Sequence, residues 1–219
     1  MINEHLEQVK FDTSNPESRC PCVLLVDVSG SMVGHRIDQL NNGIIEFQQA
    51  LQNDGLAAMR VEVAIVSFGY RVTVEQDFIT ADQFQAKPLH TGGATPMGKA
   101  IDMALNMVRE RKDTYKQNGV SYYRPWIFLI TDGAPTDKWQ AAAQRIKTEE
   151  NTKSVAFFAV GVEDADMGTL SQISDRQPIM LNGLQFKEMF VWLSQSLTSV
   201  SHSQVDEQVP LTPPGWGSV

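Results

Sequence analysis

The sequence predicts an α/β fold: a doubly wound, Rossmann-like, mostly parallel sheet of six strands, with one antiparallel edge strand and helices on both faces. Three observations predict it. Apolar runs without polar alternation, such as Val23-Leu24-Leu25-Val26 and Trp126-Ile127-Phe128-Leu129-Ile130, are the pattern of strands buried on both faces. Between these runs, apolar residues recur every three or four positions, the period of amphipathic helices. The runs end in turns rich in Asp, Ser, Thr and Gly, as expected where an open sheet presents its ligand-binding edge.

The elements follow in order. Residues 1–19 are a polar lead-in with a turn at Asn15-Pro16-Glu17, and Pro21 to Val28 is the first strand. Ile37, Leu40, Ile44, Phe47 and Leu51 form one helical stripe, closed by Asn53-Asp54-Gly55. Val61 to Phe68 is the second strand, and the short Gly69-Tyr70 turn sends Val72-Thr73-Val74 back as the antiparallel edge. Glu75 to His90 reads as a connection, and Thr91-Gly92-Gly93-Ala94-Thr95-Pro96 leads into a helix with Met97, Ile101, Leu105 and Val108 on one face. The strand from Trp126 to Ile130 ends in Thr131-Asp132-Gly133. Thr136 or Asp137 can then cap a helix whose inner face is Trp139, Ala142, Ala143 and Ile146. Val155 to Val162 is a strand, Met167, Leu170 and Ile173 mark a short helix, and Pro178 to Leu181 is the last strand. Phe186, Phe190, Leu193, Leu197 and Val200 mark the final helix. The domain therefore covers residues 20–200, and residues 201–219 form a polar tail carrying Pro-Pro-Gly-Trp, a poor helix or strand former.

The totals bound the function. With 219 residues, 42% of them hydrophobic, the chain can bury one sizeable core. A net charge of −8 argues against a general binder of nucleic acid or anionic membrane, which needs a basic patch. Cys20 and Cys22 flank a single proline, too tight for an ordinary disulfide and without a second pair for zinc. They read as reduced thiols, buried or idle, in a cytoplasmic protein. The opening residues show no basic stretch followed by an apolar core, so no signal peptide is expected. No apolar run approaches the ~20 residues that span a bilayer.

The chemistry lies at the strand ends. Asp27, Ser29 and Ser31 stand at alternate positions where the first strand stops. One carboxylate and two hydroxyls within five residues suit a hard cation such as Mg²⁺, Mn²⁺ or Ca²⁺. A helix-entry turn uses the same residue types, so the pentapeptide alone decides nothing. Two further turns supply what it lacks: Thr95, behind paired glycines, and Asp132, just past the end of a second apolar strand. For Thr95 the plainer reading is a residue pushed extended by Pro96, and for Asp132 a helix-entry turn. A first strand lying centrally, with the strand order reversing beside it, would bring all three turns together.

Asp27-x-Ser29-x-Ser31, Thr95 within Gly-Gly-Ala-Thr-Pro and Asp132 within Thr-Asp-Gly together resemble the metal-ion-dependent adhesion site of von Willebrand factor type A domains. The resemblance spans Cys20 to Val200 and implies that fold. It implies that Ser29 and Ser31 coordinate a divalent cation, most readily Mg²⁺, directly through their hydroxyls. Thr95 would do so directly or through water, and Asp27 and Asp132 mainly through waters or by accepting hydrogen bonds. One coordination position would be left for a Glu or Asp of a partner protein. Within the family, "CPCVLLVDVSGSM", "TGGATPMGKAID" and the Pro-Pro-Gly-Trp tail resemble bacterial TerY-type proteins of tellurite resistance and stress response.

The leading functional expectation is thus a non-enzymatic, cation-dependent protein-interaction module with no nucleic acid or membrane insertion. A metal-dependent phosphoester-processing enzyme is the first rival. Aspartate-nucleophile phosphotransferases carry Asp-x-Asp, whereas the third position here is Ser29, and Gly-x-Ser-x-Gly is absent. A nucleotide-binding sheet is the second, but Gly30 and Gly34 fit neither the dinucleotide fingerprint nor a P-loop. His35 reads as a surface helix-entry residue rather than a base, Asp38 and Glu46 as solvated, and the methionines as core filler. Trp216 has two readings that stay open: docking back on the domain, or entering a partner's groove.

Overall fold

The computed structural model describes residues 11–218. The first ten residues of the lead-in, with the absence of a signal peptide expected there, lie outside the described residues. The strands are β1 (Cys20–Asp27), β2 (Val61–Phe68), β3 (Val72–Thr80), β4 (Trp126–Thr131), β5 (Ala156–Val162), β6 (Ile179–Leu181) and β7 (Gly217–Ser218). The helices are α1 (His35–Gln52), α2 (Gly55–Arg60), α3 (Met97–Gln117), α4 (Gln140–Asn151), α5 (Met167–Ile173) and α6 (Phe186–His202). The sheet runs β3-β2-β1-β4-β5-β6-β7, parallel except for β3 and β7 at its two edges. The expected six strands are therefore joined by a seventh, two residues long, from the tail.

β1 lies at the centre because both of its faces are apolar. Cys20, Cys22, Leu24 and Val26 face one core with α1, α2 and α6, while Val23 and Leu25 face the other with α3, α4 and α5. The period-2 alternation of a strand divides one continuous apolar run between two helix layers. α1 and α6 pack closely at Gly43, where a Cβ would stand 2.4 Å from the Phe190 ring. Burial pushes the Cys20 thiol up to about 12 and the Cys22 thiol higher still, so both remain protonated at neutral pH and act as small apolar core groups.

Three local features differ from the sequence reading. β3 continues to Thr80 instead of ending at Val74, and register shifts opposite Val63–Val66 break its alternation along the way. The polar Glu75-Gln76-Asp77 segment therefore has the composition of a connection while belonging to an edge strand. Asn53-Asp54-Gly55 does more than close α1: the Asp54 carboxylate accepts from the N–H groups of Leu56 and Ala57 and starts α2. Residues 203–218 return to the domain. Asn182 N–H donates to the Trp216 carbonyl at 2.9 Å, and the Trp192 indole donates to Thr212 O at 2.7 Å.

Trp216 thus takes the first of its two readings. Its ring is 2% exposed, edge-on to Trp192 at 5.7 Å and beside Phe128 at 6.5 Å. Trp216→Ala is expected to lower unfolding free energy by about 3 kcal/mol in urea titration. Trp216→Phe, which keeps the apolar contact and has no N–H to satisfy, is expected to stay within about 1 kcal/mol of wild type. An alanine variant as stable as wild type would show that the docked tail contributes nothing.

Candidate metal centre

The site begins where β1 stops. Asp27 is completely buried, and its two carboxylate oxygens are used differently. Oδ1 accepts from Ser29 N–H at 2.8 Å, which turns the chain sharply out of the strand. Oδ2 accepts from the Thr131 hydroxyl at 2.6 Å. The parallel register sets Val26 beside Ile130, so the next residues, Asp27 and Thr131, are neighbours at the ends of β1 and β4. This is the point where the strand order reverses.

A single 3-10 turn, Gly30–Met32, then folds Ser31 back onto the cluster. Its Oγ lies 3.0 Å from Ser29 Oγ and donates to Asp132 Oδ1 at 2.8 Å. Ser29 and Asp132 are buried, whereas Ser31 is exposed. Asp27, Ser29, Ser31 and Asp132 are therefore brought together by hydrogen bonds linking the β1–α1 and β4–α4 loops.

Thr95 arrives on a third loop. Gly30 N–H donates to Gly93 O at 3.1 Å, and Gly92 N–H to Val28 O at 2.7 Å, fastening the segment to the β1–α1 loop. Gly93 has a φ of 86°, and a Cβ there would stand 2.3 Å from Tyr70 N, so this close passage requires glycine. Thr95 N–H donates to Thr136 Oγ1 at 3.1 Å, and Thr136 N–H returns to Thr95 O at 2.9 Å. A Cβ added at Gly133 would stand 3.5 Å from Thr95 Oγ1, which places that hydroxyl beside the Asp132 turn.

Thr136 and Asp137 correct the sequence reading. Neither caps α4, which begins after Trp139 without a side-chain cap. Asp137 instead accepts from Gly98 N–H and Lys99 N–H, each at 2.9 Å, and caps α3. The residue before α3 is Pro96, which has no acceptor side chain, so the free N–H groups of α3 are satisfied across loops.

Arg36, on the first turn of α1, was not singled out by the sequence. Its Nη1 donates to Asp132 Oδ2 at 2.7 Å and to Ser31 O at 3.2 Å. Its Nε donates to Glu163 Oε2 at 2.5 Å and its Nη2 to Asp164 Oδ2 at 3.0 Å. Glu163 has a φ of 46°, rare for a residue with a side chain. Thr131, Thr136 and Asp137 were likewise missed in their roles here. Only Thr131 had an available signal, because parallel pairing of two strands that end together sets their terminal residues side by side. His35 is exposed at the start of α1, as expected. A cavity of about 460 Å³ beside Trp126 and Phe158 lies at the other end of β4 and takes no part in the site.

The donor set is two carboxylates and three hydroxyls, all oxygen. Among the described residues no group of three or more His, Cys, Asp and Glu side chains is placed to hold a metal. The cluster therefore fits a hard cation that tolerates few anionic ligands.

Fold and site define an α/β domain with an oxygen-lined edge at its topological switch point. Residues 22–189 match the profile of the von Willebrand factor type A domain, and the chain belongs to that family. Among solved structures, the pilus adhesin SpaC of Lactobacillus rhamnosus GG, in its open conformation, superposes with a TM-score of 0.67 at 15% identity, over 85% of this chain and 31% of its own. The ArnB paralog VWA2 of Sulfolobus acidocaldarius gives 0.57 at 19% identity, over 82% of this chain and 45% of its own. Proximal thread matrix protein 1 of the mussel byssus gives 0.57 at 14% identity, over 84% and 49%. The chain thus spans less than half the length of each of these structures, and at these identities the likeness is one of fold. Comparison with curated proteins finds no match. No helix among the described residues is long and apolar enough to cross a membrane.

Burial, opposed in part by the hydrogen bonds from Thr131 and Ser29, raises Asp27 from 3.8 to about 6. The folded state then holds this proton more tightly than the unfolded chain. The resulting contribution to stability is complete below about pH 4 and is lost as pH rises through about 6. In chelator at pH 8, Asp27→Asn is therefore expected to be more stable than wild type by on the order of 2–3 kcal/mol, with the gap closing towards pH 4. Thermal melts across that range check it. A variant less stable than wild type at pH 8 would mean that the carboxylate is held as an anion by its donors.

Proposed function

We propose that this domain captures a partner protein through a divalent cation, with Asp27, Ser29, Ser31, Thr95 and Asp132 as the cation site and a partner's Glu or Asp completing it. The observation that carries the reading is Ser31 Oγ, which touches both Ser29 Oγ and Asp132 Oδ1 and so joins two loops into one oxygen cluster. When bound, the cation supplies a positive charge with an exchangeable coordination position. The chain's own residues do the rest. Ser29 and Ser31 offer neutral hydroxyls, which add no negative charge of their own. Asp27 orients the Ser29 turn through its backbone N–H, and Thr131 orients Asp27. Thr95 is held in reach by Thr136 and by the Gly92-Gly93 passage.

Mg²⁺ is the preferred occupant, because it binds few protein carboxylates and keeps several waters, with Mn²⁺ and Ca²⁺ as alternatives. The proposed role is non-enzymatic: the hydroxyl–carboxylate contacts of Ser31 with Asp132 and of Thr131 with Asp27 tie the loops of the oxygen cluster together. The TerY-type sequence resemblance supports a setting in a bacterial tellurite-resistance or stress response, in the cytoplasm. The lead-in and the tail are taken as flanks of one binding domain.

The test is affinity capture from native lysate with wild type in Mg²⁺, wild type in EDTA, and Ser29→Ala in Mg²⁺. A protein retained only in the first arm is the expected result. The same retained proteins in all three arms would overturn the cation-dependent reading.

A further inference from the structure

We propose that Arg36 sets the charge of the oxygen site, weakening its hold on the cation in exchange for a stronger pull on the partner's carboxylate. The inference rests on the cation-dependent reading above and assigns a specificity-determining residue within it.

The geometry separates charge from scaffolding. Ser31 and Asp132 are already joined through Ser31 Oγ and Asp132 Oδ1 at 2.8 Å, and the Asp132 side chain is fully buried. Arg36 takes the other oxygen, Oδ2, at 2.7 Å. It therefore places a permanent positive charge against one of only two carboxylates in the cluster. Asp27 has no such partner, since both of its oxygens are taken by neutral donors. Two carboxylates and one guanidinium leave the inner cluster with a single net negative charge. A divalent cation held there keeps a net positive charge and attracts an acid. Without Arg36 the same cation would be matched charge for charge, held more tightly, and left with less attraction for a further anion.

The guanidinium is fixed in this place. Nε and Nη2 are anchored to Glu163 and Asp164 on the β5–α5 loop, and Nη1 also reaches Ser31 O. Four contacts on a planar fork restrict it far more than a lysine would be restricted. Glu163 and Asp164 are 36% and 86% exposed, so their charges are screened by water while that of Asp132 is not.

The experiment titrates Mn²⁺ alone into purified wild type, Arg36→Gln, Arg36→Lys and Ser29→Ala by calorimetry, at low salt and at about 0.3 M salt. Arg36→Gln is expected to bind Mn²⁺ about tenfold more tightly than wild type at low salt, with the difference shrinking at high salt. Arg36→Lys, which keeps a positive charge but not the four-contact fork, is expected to fall between wild type and Arg36→Gln. Acetate is then added as a carboxylate probe, and its displacement of manganese-bound water is followed by proton relaxation. Several-fold more acetate is expected to be needed for Arg36→Gln. Arg36→Met gives the same reading where glutamine proves unfolded in a chelator melt. Glutamine binding Mn²⁺ no more tightly than wild type, or lysine binding it more tightly than glutamine, would overturn the inference and leave Arg36 as a loop tie. Wild type binding no more Mn²⁺ than Ser29→Ala would instead overturn the cation site itself, and this inference with it.

Discussion

A carboxylate sealed from water at the end of the central strand is the constraint on which the binding edge depends. Ionised Asp27 has lost its hydration, and two neutral donors, Ser29 N–H and the Thr131 hydroxyl, only partly replace it. The Ser29 donor is local, but the Thr131 hydroxyl reaches Asp27 only if β1 and β4 are adjacent, parallel and in the observed register. That adjacency requires β1 to be apolar on both faces, which in turn requires helices on both sides of the sheet. The chemistry of one side chain and the layering of the whole domain are linked in this way.

A second buried carboxylate shows what full compensation looks like. Glu62, at the opposite end of the neighbouring strand β2, is 1% exposed. It accepts from Arg19 at 3.2 Å, from Arg111 at 2.7 Å and from the Tyr115 hydroxyl at 2.5 Å. Arg19 in turn donates to the carbonyls of Asp12, Asn15 and Glu17 and so fastens residues 12–17 to the domain. Glu62 has two guanidinium partners inside the protein, whereas Asp27 has none. Of the two carboxylates, one is a finished structural ion cluster, and the other is met by neutral donors alone.

The sequence made the frame legible and left its cross-links obscure, for a physical reason. β1, β2, β4 and β5 are visible as apolar runs because strands buried on both faces need nothing but apolar side chains. The site residues are visible as types at strand ends, because burial leaves loops as the only place for them. The length of β3 was hidden by a bulge in a half-exposed edge strand, and the start of α2 by a cap that also reads as a stop. The tail was hidden because its strand is two residues long and its anchor is a single indole. Arg36 and Asp137 lay beyond local reading altogether. An arginine in the first turn of a helix reads as solvated surface, and an aspartate before a helix reads as that helix's cap. Their real partners are far along the chain, from Arg36 to Asp132, Glu163 and Asp164 and from Asp137 to Gly98 and Lys99.

Those cross-links also dictate how the site responds to change. Each participating side chain holds a loop other than its own: Thr131 holds Asp27, Ser31 holds Asp132, Thr136 holds Thr95 and Asp137 holds the start of α3. Groups sharing one hydrogen-bond network are not energetically independent, so substitutions among them will not add. Of the five candidate cation-site residues, one faces solvent. Ser31 is exposed, while Asp27, Ser29, Thr95 and Asp132 are buried. A ligand approaching from solvent therefore meets Ser31 before the carboxylates, and any displacement of Ser31 passes to Ser29 and Asp132 through its own hydroxyl. In such a cluster the exposed hydroxyl is the route by which an incoming group can reach the buried oxygens.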